Sequence, residues 1–451
     1  MMRICRMVPL VVALGMISLT ACGGGSSGSA GGGGPAGRSV AASATAAVDS
    51  PTGARASVQC AAQVQTLRLA AISTFGDVAR AGAAAMRSAH PGLTVDIVAD
   101  APDYPSLAEQ IRADRAAGRG VDVAIAELDE LPRLTRELGA QPLSARSLRA
   151  SYDQRLLGLG TVGGRLVGIP AQVTSLALVY NQDALAQAGV DPRSLSSTDG
   201  VLAAAERIRS AGHGIQAIDL PTGQGRGQWL LAALASSRGT PIQDAAGRPA
   251  LTTPAAREAA AFLAKAGGYG PQTANATDAL LRFGLRRQTA MLAMSVGSLV
   301  GALEFVAGSG ARGFRVGATP FPTLPGGTDH PVALGSALSV LATDRCQREM
   351  ATELIVTLLS PDVVAAGARV ASTIPVDTAA VGQLDAFYAR YPQLRPFLGL
   401  AGALVRPPAW GGSRGAQEAA ALSAQVARLL GGADPGRTLT AAQAEAEDLT
   451  K

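Results

Sequence analysis

The 451-residue sequence predicts an α/β fold divided into two lobes. From about residue 65 onward, short aliphatic runs alternate with helical stretches of about 10–15 residues, a pattern typical of a mainly parallel sheet covered on both faces. About 390 residues follow a Gly/Ser-rich N-terminal stretch, which is more than one hydrophobic core usually holds. Alternation and length together therefore indicate two linked α/β lobes.

The first 21 residues have the organisation of a secretory signal. Arg3 and Arg6 provide a short basic region, residues 8–19 are apolar, and the tetrapeptide Leu-Thr-Ala-Cys that ends at Cys22 resembles a bacterial lipobox. Cleavage before Cys22 would leave a lipid-carrying cysteine, and acyl chains contribute about 0.8 kcal/mol of membrane binding per buried CH₂. We therefore expect a lipid anchor on the outer face of the cytoplasmic membrane. The alternative is an ordinary signal peptide with an incidental cysteine.

Residues 22–62 have the composition of a flexible linker. The stretch CGGGSSGSAGGGGPAG and the Ala/Ser/Thr-rich residues after it offer almost nothing to bury. The expected role of this linker is to hold a globular part clear of the anchor. No later stretch of the sequence is long and apolar enough to predict a second membrane span.

Charge gives little indication of a partner. The chain has 39 Lys and Arg against 34 Asp and Glu, a net charge of +5 that falls to +3 once Arg3 and Arg6 leave with the signal. No basic cluster is interleaved with aromatic residues, so we expect no nucleic-acid partner. Arginine supplies nearly all of the basic charge, and with the high Ala and Gly content this indicates a high-GC genome such as that of an actinobacterium.

The predicted elements follow one another in a regular order. Each strand is a short aliphatic run, and Pro91-Gly92 and Ser360-Pro361 supply turn or stop signals for two of the helices. Strands are predicted at 66–72, 93–98, 120–125, 176–181, 214–219, 289–294, 314–318 and 331–341. Helices are predicted at 77–90, 104–117, 182–188, 199–210, from Gly227, at 254–266, 276–286 and 346–359, and within 377–449.

Residues 168–190, GIPAQVTSLALVYNQDALAQAGV, resemble the extracellular solute-binding proteins of ABC importers, in the sugar-type branch known as family 1. In that family a Gly-Ile-Pro turn and a Tyr-Asn pair mark the crossing from the first lobe to the second. His90-Pro91-Gly92, the Pro/Gly-rich loop 320–327 and Ile374-Pro375-Val376 also occur in the family's order, so the resemblance covers about residues 65–450. It implies a two-lobed periplasmic-binding-protein-like fold of type II, with a hinge of crossing segments and the ligand in the inter-lobe cleft.

The resemblance also implies where the lobes begin and end. Hinges are expected near 173–180, 331–338 and 375–378. The first lobe would comprise 63–176 and the return 332–376, and the second lobe 177–331 and the helical part 377–451.

Two of the four cysteines remain in the predicted globular part, Cys60 and Cys346. Cys60 precedes the first strand, and the resemblance places the helix that Cys346 opens in the same lobe. Outside the cytoplasm disulfides persist, so a disulfide between the two is expected, the alternative being two separate thiols. Two cysteines without nearby histidines predict no metal site, and we expect no cofactor.

Candidate ligand-binding residues come from loops at strand ends, since ligands of open α/β sheets bind beyond the carboxyl ends of the strands. Carboxylates, hydroxyls, amides and guanidinium groups suit a polyhydroxylated ligand, because each can bond a hydroxyl group. The candidates are Thr74, Glu127, Asp129, Thr174, Arg226, Trp229, Ser295, Gly335, Ser336, Arg406 and Trp410.

Several of these candidates have a structural alternative. Asp129 could instead cap the following helix, and Thr174 could be a strand-end hydroxyl bonded to backbone. Arg226 could be a solvated arginine and Trp229 a core tryptophan. For Trp410, which follows an Arg-Pro-Pro segment that resembles the family, the cleft is favoured over the core.

The resemblance implies a substrate-binding lipoprotein that captures a small solute by lobe closure and delivers it to the permease subunits of an ABC transporter. Aromatic residues are 4% of the chain, and residues 295–298 read Ser-Val-Gly-Ser where many relatives carry a tryptophan. We therefore expect a small carbohydrate, a polyol or a glycerophosphodiester, bound by a monomer. The alternatives are a ligand-sensing lipoprotein without transport and a secreted hydrolase.

The sequence gives no support to the hydrolase alternative. One Gly-x-Ser-x-Gly match follows the linker, at residues 411–415, but no predicted strand leads into it, and His90, His213 and His330 stand beside Gly or Pro in turns without a ligand-spaced partner. We therefore expect a binding protein and not an enzyme.

Overall fold

The structure, a computed structural model, describes residues 55–212, 214–223, 226–244, 246–310, 313–328, 330–410 and 414–450. The predicted signal 1–21, the lipidation candidate Cys22 and the linker as far as Ala54 lie outside the described residues.

Eleven strands and seventeen α-helices occur in the described ranges. The strands are β1 (Thr66–Ile72), β2 (Thr94–Ala101), β3 (Val123–Glu127), β4 (Thr161–Val162), β5 (Arg165–Leu166), β6 (Ile169–Thr174), β7 (Leu176–Asn181), β8 (Gln216–Asp219), β9 (Thr289–Ser295), β10 (Val316–Pro320) and β11 (Leu334–Val340). The helices are α1 (Val58–Gln63), α2 (Gly76–Ala89), α3 (Tyr104–Ala116), α4 (Leu131–Leu138), α5 (Gln154–Leu157), α6 (Gln182–Gln187), α7 (Thr198–Ser210), α8 (Arg226–Ser236), α9 (Pro254–Gly267), α10 (Ala276–Leu280), α11 (Leu299–Ala307), α12 (Arg345–Leu358), α13 (Pro361–Ala371), α14 (Asp385–Arg390), α15 (Arg395–Leu398), α16 (Gly415–Leu430) and α17 (Pro435–Thr450).

Two separate sheets define the two lobes. The first sheet has the order β2-β1-β3-β11-β6 and the second β10-β7-β9-β8. In the first, β2, β1 and β3 are parallel, whereas β11 is antiparallel to both β3 and β6. In the second, β7 is antiparallel to both of its neighbours, β10 and β9, whereas the neighbouring strands β8 and β9 are parallel. Each sheet therefore has one reversed strand, β11 in the first and β7 in the second, and its other strands all run in one direction. The prediction of mainly parallel strands is confirmed for these other strands, and the two reversed strands are those that follow a crossing from the other lobe.

Asn181 joins β7 to α6 just after the crossing between the lobes. Val179 and Leu178 point to opposite faces of β7 and both are fully buried, in different hydrophobic clusters. The side-chain oxygen of Asn181 then accepts hydrogen bonds from the N–H groups of Asp183 (3.0 Å) and Ala184 (3.1 Å). Asn181 therefore ends the strand and caps the helix.

Two hydrophobic clusters form the core. The first contains the interior of the first sheet, with α2, α4, α12 and α13, and reaches one face of the second sheet. The other cluster covers the opposite face of the second sheet with α7, α8, α9, α16 and α17. Leu384, Tyr388 and Phe397 belong to the first cluster. Because this cluster also includes one face of the second sheet, the assignment of 377–451 to the second lobe stays a prediction.

The N-terminal helix is joined covalently to the first lobe. Cys60 of α1 and Cys346 of α12 form a disulfide. The carboxylate of Glu349 accepts hydrogen bonds from the N–H (3.2 Å) and the hydroxyl (2.9 Å) of Ser57, and Glu353 accepts one from the N–H of Ala56 (2.9 Å). The start of the described chain is thus attached to α12.

Within the described ranges, none of the individual helices has the length and apolar composition needed to cross a membrane. Helices α12 and α13 meet that criterion only together, as a pair bent by 57°, and both contribute side chains to the first hydrophobic cluster.

Candidate functional site

The strand directions place one polar edge of each sheet at the boundary between the lobes. In the first sheet, β1, β2, β3 and β6 end at the edge where β11 begins. In the second sheet, β8, β9 and β10 end at the edge where β7 begins. Thr174 ends β6 and Leu176 begins β7, so a single residue separates the two edges along the chain. The carboxyl ends of strands from both lobes therefore border one inter-lobe cleft, the position at which open α/β sheets bind ligands.

Five polar residues form a strand-edge cluster at this cleft. Glu127 pairs with Ser336 in the β3–β11 register. The hydroxyls of Tyr104 and Ser336 both donate to the side-chain oxygen of Gln172, at 3.4 and 3.5 Å. Arg226, the fifth member, begins α8 of the second lobe and interacts electrostatically with Glu127. A carboxylate, hydroxyls, an amide and a guanidinium are thereby presented together.

Glu127 is the electrostatic centre of the cluster. Burial, and then the negative charges of Asp129 and Glu130, raise the pKa of Glu127 well above its ordinary value, while Arg226 opposes the shift. Burial lowers the pKa of Arg226, and the charge of Glu127 opposes that shift. Each charge therefore stabilises the other across the two lobes.

Asp129 lies close to the cluster in a one-turn 3₁₀ helix, Leu128–Glu130, and α4 begins only at Leu131. Burial and the charge of Glu130 raise the pKa of Asp129 to about 7, against hydrogen bonds from the backbone N–H groups of Asp129 and Glu130. Asp129 is not the N-cap of α4, since that position is Glu130 and no side chain caps the helix, so the capping alternative is wrong. Its pKa of about 7 places the change of protonation near neutral pH. In either protonation state it can bond a ligand hydroxyl, as acceptor or as donor.

Thr174 and Ser295 lie at the shortest crossing between the lobes. The hydroxyl of Thr174 accepts a hydrogen bond of 2.9 Å from the N–H of Gly297 and lies 3.4 Å from the hydroxyl of Ser295. Thr174 is buried. Its structural alternative, a strand-end hydroxyl bonded to backbone, therefore describes the arrangement.

Gly335 has a backbone role. Its φ is +118°, and a Cβ at this position would lie 1.7 Å from the carbonyl oxygen of Gln172. Only glycine permits this close approach of β11 to β6. The residue thus positions Ser336 and Gln172 in the cluster.

Trp410 belongs to the second hydrophobic cluster, and Trp229 packs against it. Trp410 is buried and its indole N–H donates to the side-chain oxygen of Gln228 at 2.6 Å. The prediction that Trp410 faces the cleft is wrong, because the Gln228 amide satisfies the indole in the core. Trp229 packs partly buried against the same cluster, as its core alternative predicts.

Two further candidates lie apart from the cluster. Thr74 is exposed in the 3₁₀ helix Ser73–Phe75 that follows β1. Arg406 is exposed and donates to the carbonyl oxygen of Thr161 at 2.6 Å. Arg406 lines a separate inter-lobe cavity instead of the strand-edge cluster.

Tyr104 is the cluster member that the sequence analysis missed. It begins α3 directly after β2, so it stands at the carboxyl end of a parallel strand. This position in the sequence could have identified Tyr104 as a candidate, because the carboxyl ends of the strands on this edge border the cleft. Gln172 lies in β6, a segment for which no strand was predicted.

Metal binding has no support in the described ranges, where no group of three or more His, Cys, Asp or Glu side chains is arranged to hold a metal ion.

Comparison with known proteins agrees with this architecture. A family described as bacterial extracellular solute-binding protein matches residues 81–396. None of the curated proteins matches the chain in sequence.

Solved structures of similar fold cover most of the chain. One is the cyclic alpha-maltosyl-1,6-maltose binding protein from Arthrobacter globiformis, with 18% identity over 86% of this chain and 99% of that chain, at a TM-score of 0.72. Another is UgpB from Mycobacterium tuberculosis in complex with glycerophosphocholine, with 20% identity over 86% and 98%, at 0.69. A third is the sugar-binding protein MalE from Xanthomonas citri, with 18% identity over 85% and 97%, at 0.71. These similarities confirm the predicted two-lobed fold.

Proposed function

The chain belongs to the bacterial extracellular solute-binding protein family, and from this premise we propose that it is the substrate-binding lipoprotein of an ABC importer. In this proposal Cys22 carries the lipid that holds the protein on the outer face of the cytoplasmic membrane. The partners are the solute and the permease subunits that receive it, and the protein acts as a monomer without catalysis.

The solute that we propose is a small polyhydroxylated molecule: a carbohydrate, a polyol or a glycerophosphodiester. The observation that carries this proposal is that Glu127 at the end of β3 and Arg226 at the start of α8 bring opposite charges from the two lobes close enough to interact electrostatically. A carboxylate accepts hydrogen bonds from hydroxyl groups, and a guanidinium donates them or binds a phosphate. Tyr104 and Ser336 add hydroxyls to the same cluster.

Lobe closure would complete the site. Glu127 and Ser336 belong to the first sheet, whereas Arg226 belongs to the second lobe. A solute that bonds both groups binds the closed arrangement more tightly than an open one, and so shifts the population toward closure. The closed state is then what the permease would recognise.

Thermal unfolding of the full chain with panels of monosaccharides, disaccharides, polyols and glycerophosphodiesters tests the proposal. A solute at about 100 times its Kd stabilises the folded state by about 2.7 kcal/mol, a readily measured shift. We expect a shift with one class, weakened in Glu127→Gln and Arg226→Gln but retained in Arg257→Gln, an exposed arginine of α9. The absence of a shift with every class, or turnover of a solute, would contradict the proposed function.

A further inference from the structure

A cavity of about 980 Å³ lies between the lobes beside the strand-edge cluster. The first lobe contributes α4 and the β4–β5 hairpin, the second contributes α8 and residues 239–247, and residues 405–409 lie between them. None of the five cluster residues lines it. Its volume is within the range of about 300–1,000 Å³ that small-molecule sites occupy. It is therefore a second candidate site, formed by both lobes.

The charge in this cavity is positive. Arg136 and Arg406 line it and are exposed, and neither forms an ion pair with an acid in the described part of the chain. The lining acid, Asp244, is already bonded to the guanidinium of Arg248 at 2.8 Å and to the N–H of Ala246 at 2.9 Å. Hydrogen bonds from the Arg248 backbone and side chain lower the pKa of Asp244. The guanidinium of Arg136, and the N–H groups of Arg406 that do not bond Thr161, can therefore bind an anion.

The walls of the cavity are aliphatic. Leu131, Pro132, Val162, Ile242 and Pro407 are among the lining residues, and the described residues of the lining include no Phe, Tyr or Trp. Sugars commonly stack on aromatic rings, whereas an alkyl chain gains from any apolar wall that removes it from water. The cavity therefore suits a different ligand chemistry from the strand-edge cluster.

We propose that this cavity binds a small amphipathic carboxylate. Its carboxylate is held by Arg136 and Arg406, since a guanidinium can bond both oxygens of a carboxylate. Its alkyl chain lies against the wall formed by Leu131, Pro132 and Ile242. Because the walls come from both lobes, the bound molecule contacts both at once.

Titration calorimetry of the full chain with octanoate tests this proposal. We expect saturable binding, and at least about tenfold weaker binding in Arg136→Gln, because each charge-assisted hydrogen bond is worth about a factor of ten or more. Arg257→Gln is the matched control, since Arg257 is an exposed arginine of α9 and does not line the cavity. Octanol and acetate, which lack the charge or the chain, should each bind at least about tenfold more weakly than octanoate.

Arg406→Gln provides a second variant, and its thermal unfolding is measured in parallel because Arg406 also bonds Thr161. Absence of saturable octanoate binding, or equal binding by Arg136→Gln and Arg257→Gln, would overturn the proposal. Loss of octanoate binding in Glu127→Gln, with retention in Arg136→Gln, would also overturn it by placing octanoate in the strand-edge cluster. None of these outcomes depends on the solute proposed for that cluster.

Discussion

The hydroxyl of Thr174 accepts a hydrogen bond of 2.9 Å from the N–H of Gly297 and so joins the end of β6 to the loop after β9. The hydroxyl of Ser295 accepts from the same N–H at 3.2 Å. Because β6 lies in the first sheet and β9 in the second, these bonds fasten the two lobes together at their shortest crossing.

Thr174→Val removes the better of these two acceptors while keeping the shape of the side chain. The free energy of unfolding should fall by about 1 kcal/mol, and by more in the double variant Thr174→Val/Ser295→Ala, which leaves the Gly297 N–H without either hydroxyl. Urea unfolding measures both changes. Thr174→Ser, which keeps the acceptor, is the control, and equal losses in the valine and serine variants would contradict the role of the bond.

The pKa of Asp129, raised to about 7 by burial and by Glu130, predicts a stability profile. The unfolded chain releases this proton near pH 4, so the folded state binds more protons between about pH 4 and 7, and the group makes the free energy of unfolding fall as pH rises through that range. Asp129→Asn removes the ionisation. Its stability relative to wild type should therefore rise from about pH 4 to 7 and then level off, as thermal unfolding will show.

Asp344 provides the contrasting control for this profile. Backbone hydrogen bonds, led by that from Gln347, lower the pKa of Asp344, so its stabilising contribution is lost only below about pH 4. The difference between Asp344→Asn and wild type should be constant over the range in which Asp129→Asn changes. A flat profile for both variants would contradict the raised pKa of Asp129.

The disulfide between Cys60 and Cys346 spans 286 residues of sequence. A cross-link over so long a loop restricts the unfolded chain strongly, so Cys60→Ser/Cys346→Ser should lower the free energy of unfolding by about 2–5 kcal/mol. Urea unfolding with and without reductant measures this loss. Reductant should destabilise the wild type but not the double variant, and equal sensitivity of the two would show that the bond contributes nothing.

Gly335→Ala should be strongly destabilising, because the new Cβ would lie 1.7 Å from the Gln172 carbonyl oxygen at a φ of +118°. A loss of at least about 2 kcal/mol is expected from the strained backbone and the forced separation of β6 and β11. Gly301→Ala is the matched control, since a Cβ there meets no atom within 4 Å in α11. It should be neutral or stabilise by up to about 1 kcal/mol. Thermal unfolding distinguishes the two, and equal effects would contradict the argument.

Strand positions could be predicted from the sequence wherever an aliphatic run was uninterrupted, as in β1 and β9. The strand β6 was missed because Pro170 interrupts its pattern, although a proline is tolerated there since β6 is an edge strand of the first sheet. The reversed direction of β7 and β11 could not be predicted from the local sequence pattern, because each of these strands follows a crossing from the other lobe.

Position along a strand was enough to predict some residues of the candidate site. Glu127 and Ser336 adjoin the cleft because they lie at the end of β3 and the start of β11, and both were expected. The position of Trp410 depended on Gln228, which is 182 residues away in the sequence and supplies the acceptor that keeps the indole in the core. Local sequence contains no signal for such a distant partner.

The disulfide described above gives the N-terminal chain a second connection to the first lobe, besides the backbone that leads from α1 into β1. The chain that leads to the proposed anchor reaches the described structure at α1, and α1 is bonded through Cys60 to α12, the helix that follows β11 of the first sheet. A pull on the N-terminal chain is therefore borne by the first lobe before it can reach the crossing at Thr174. With the proposed anchor at Cys22, the first lobe would be held at the membrane and the second lobe would move during closure.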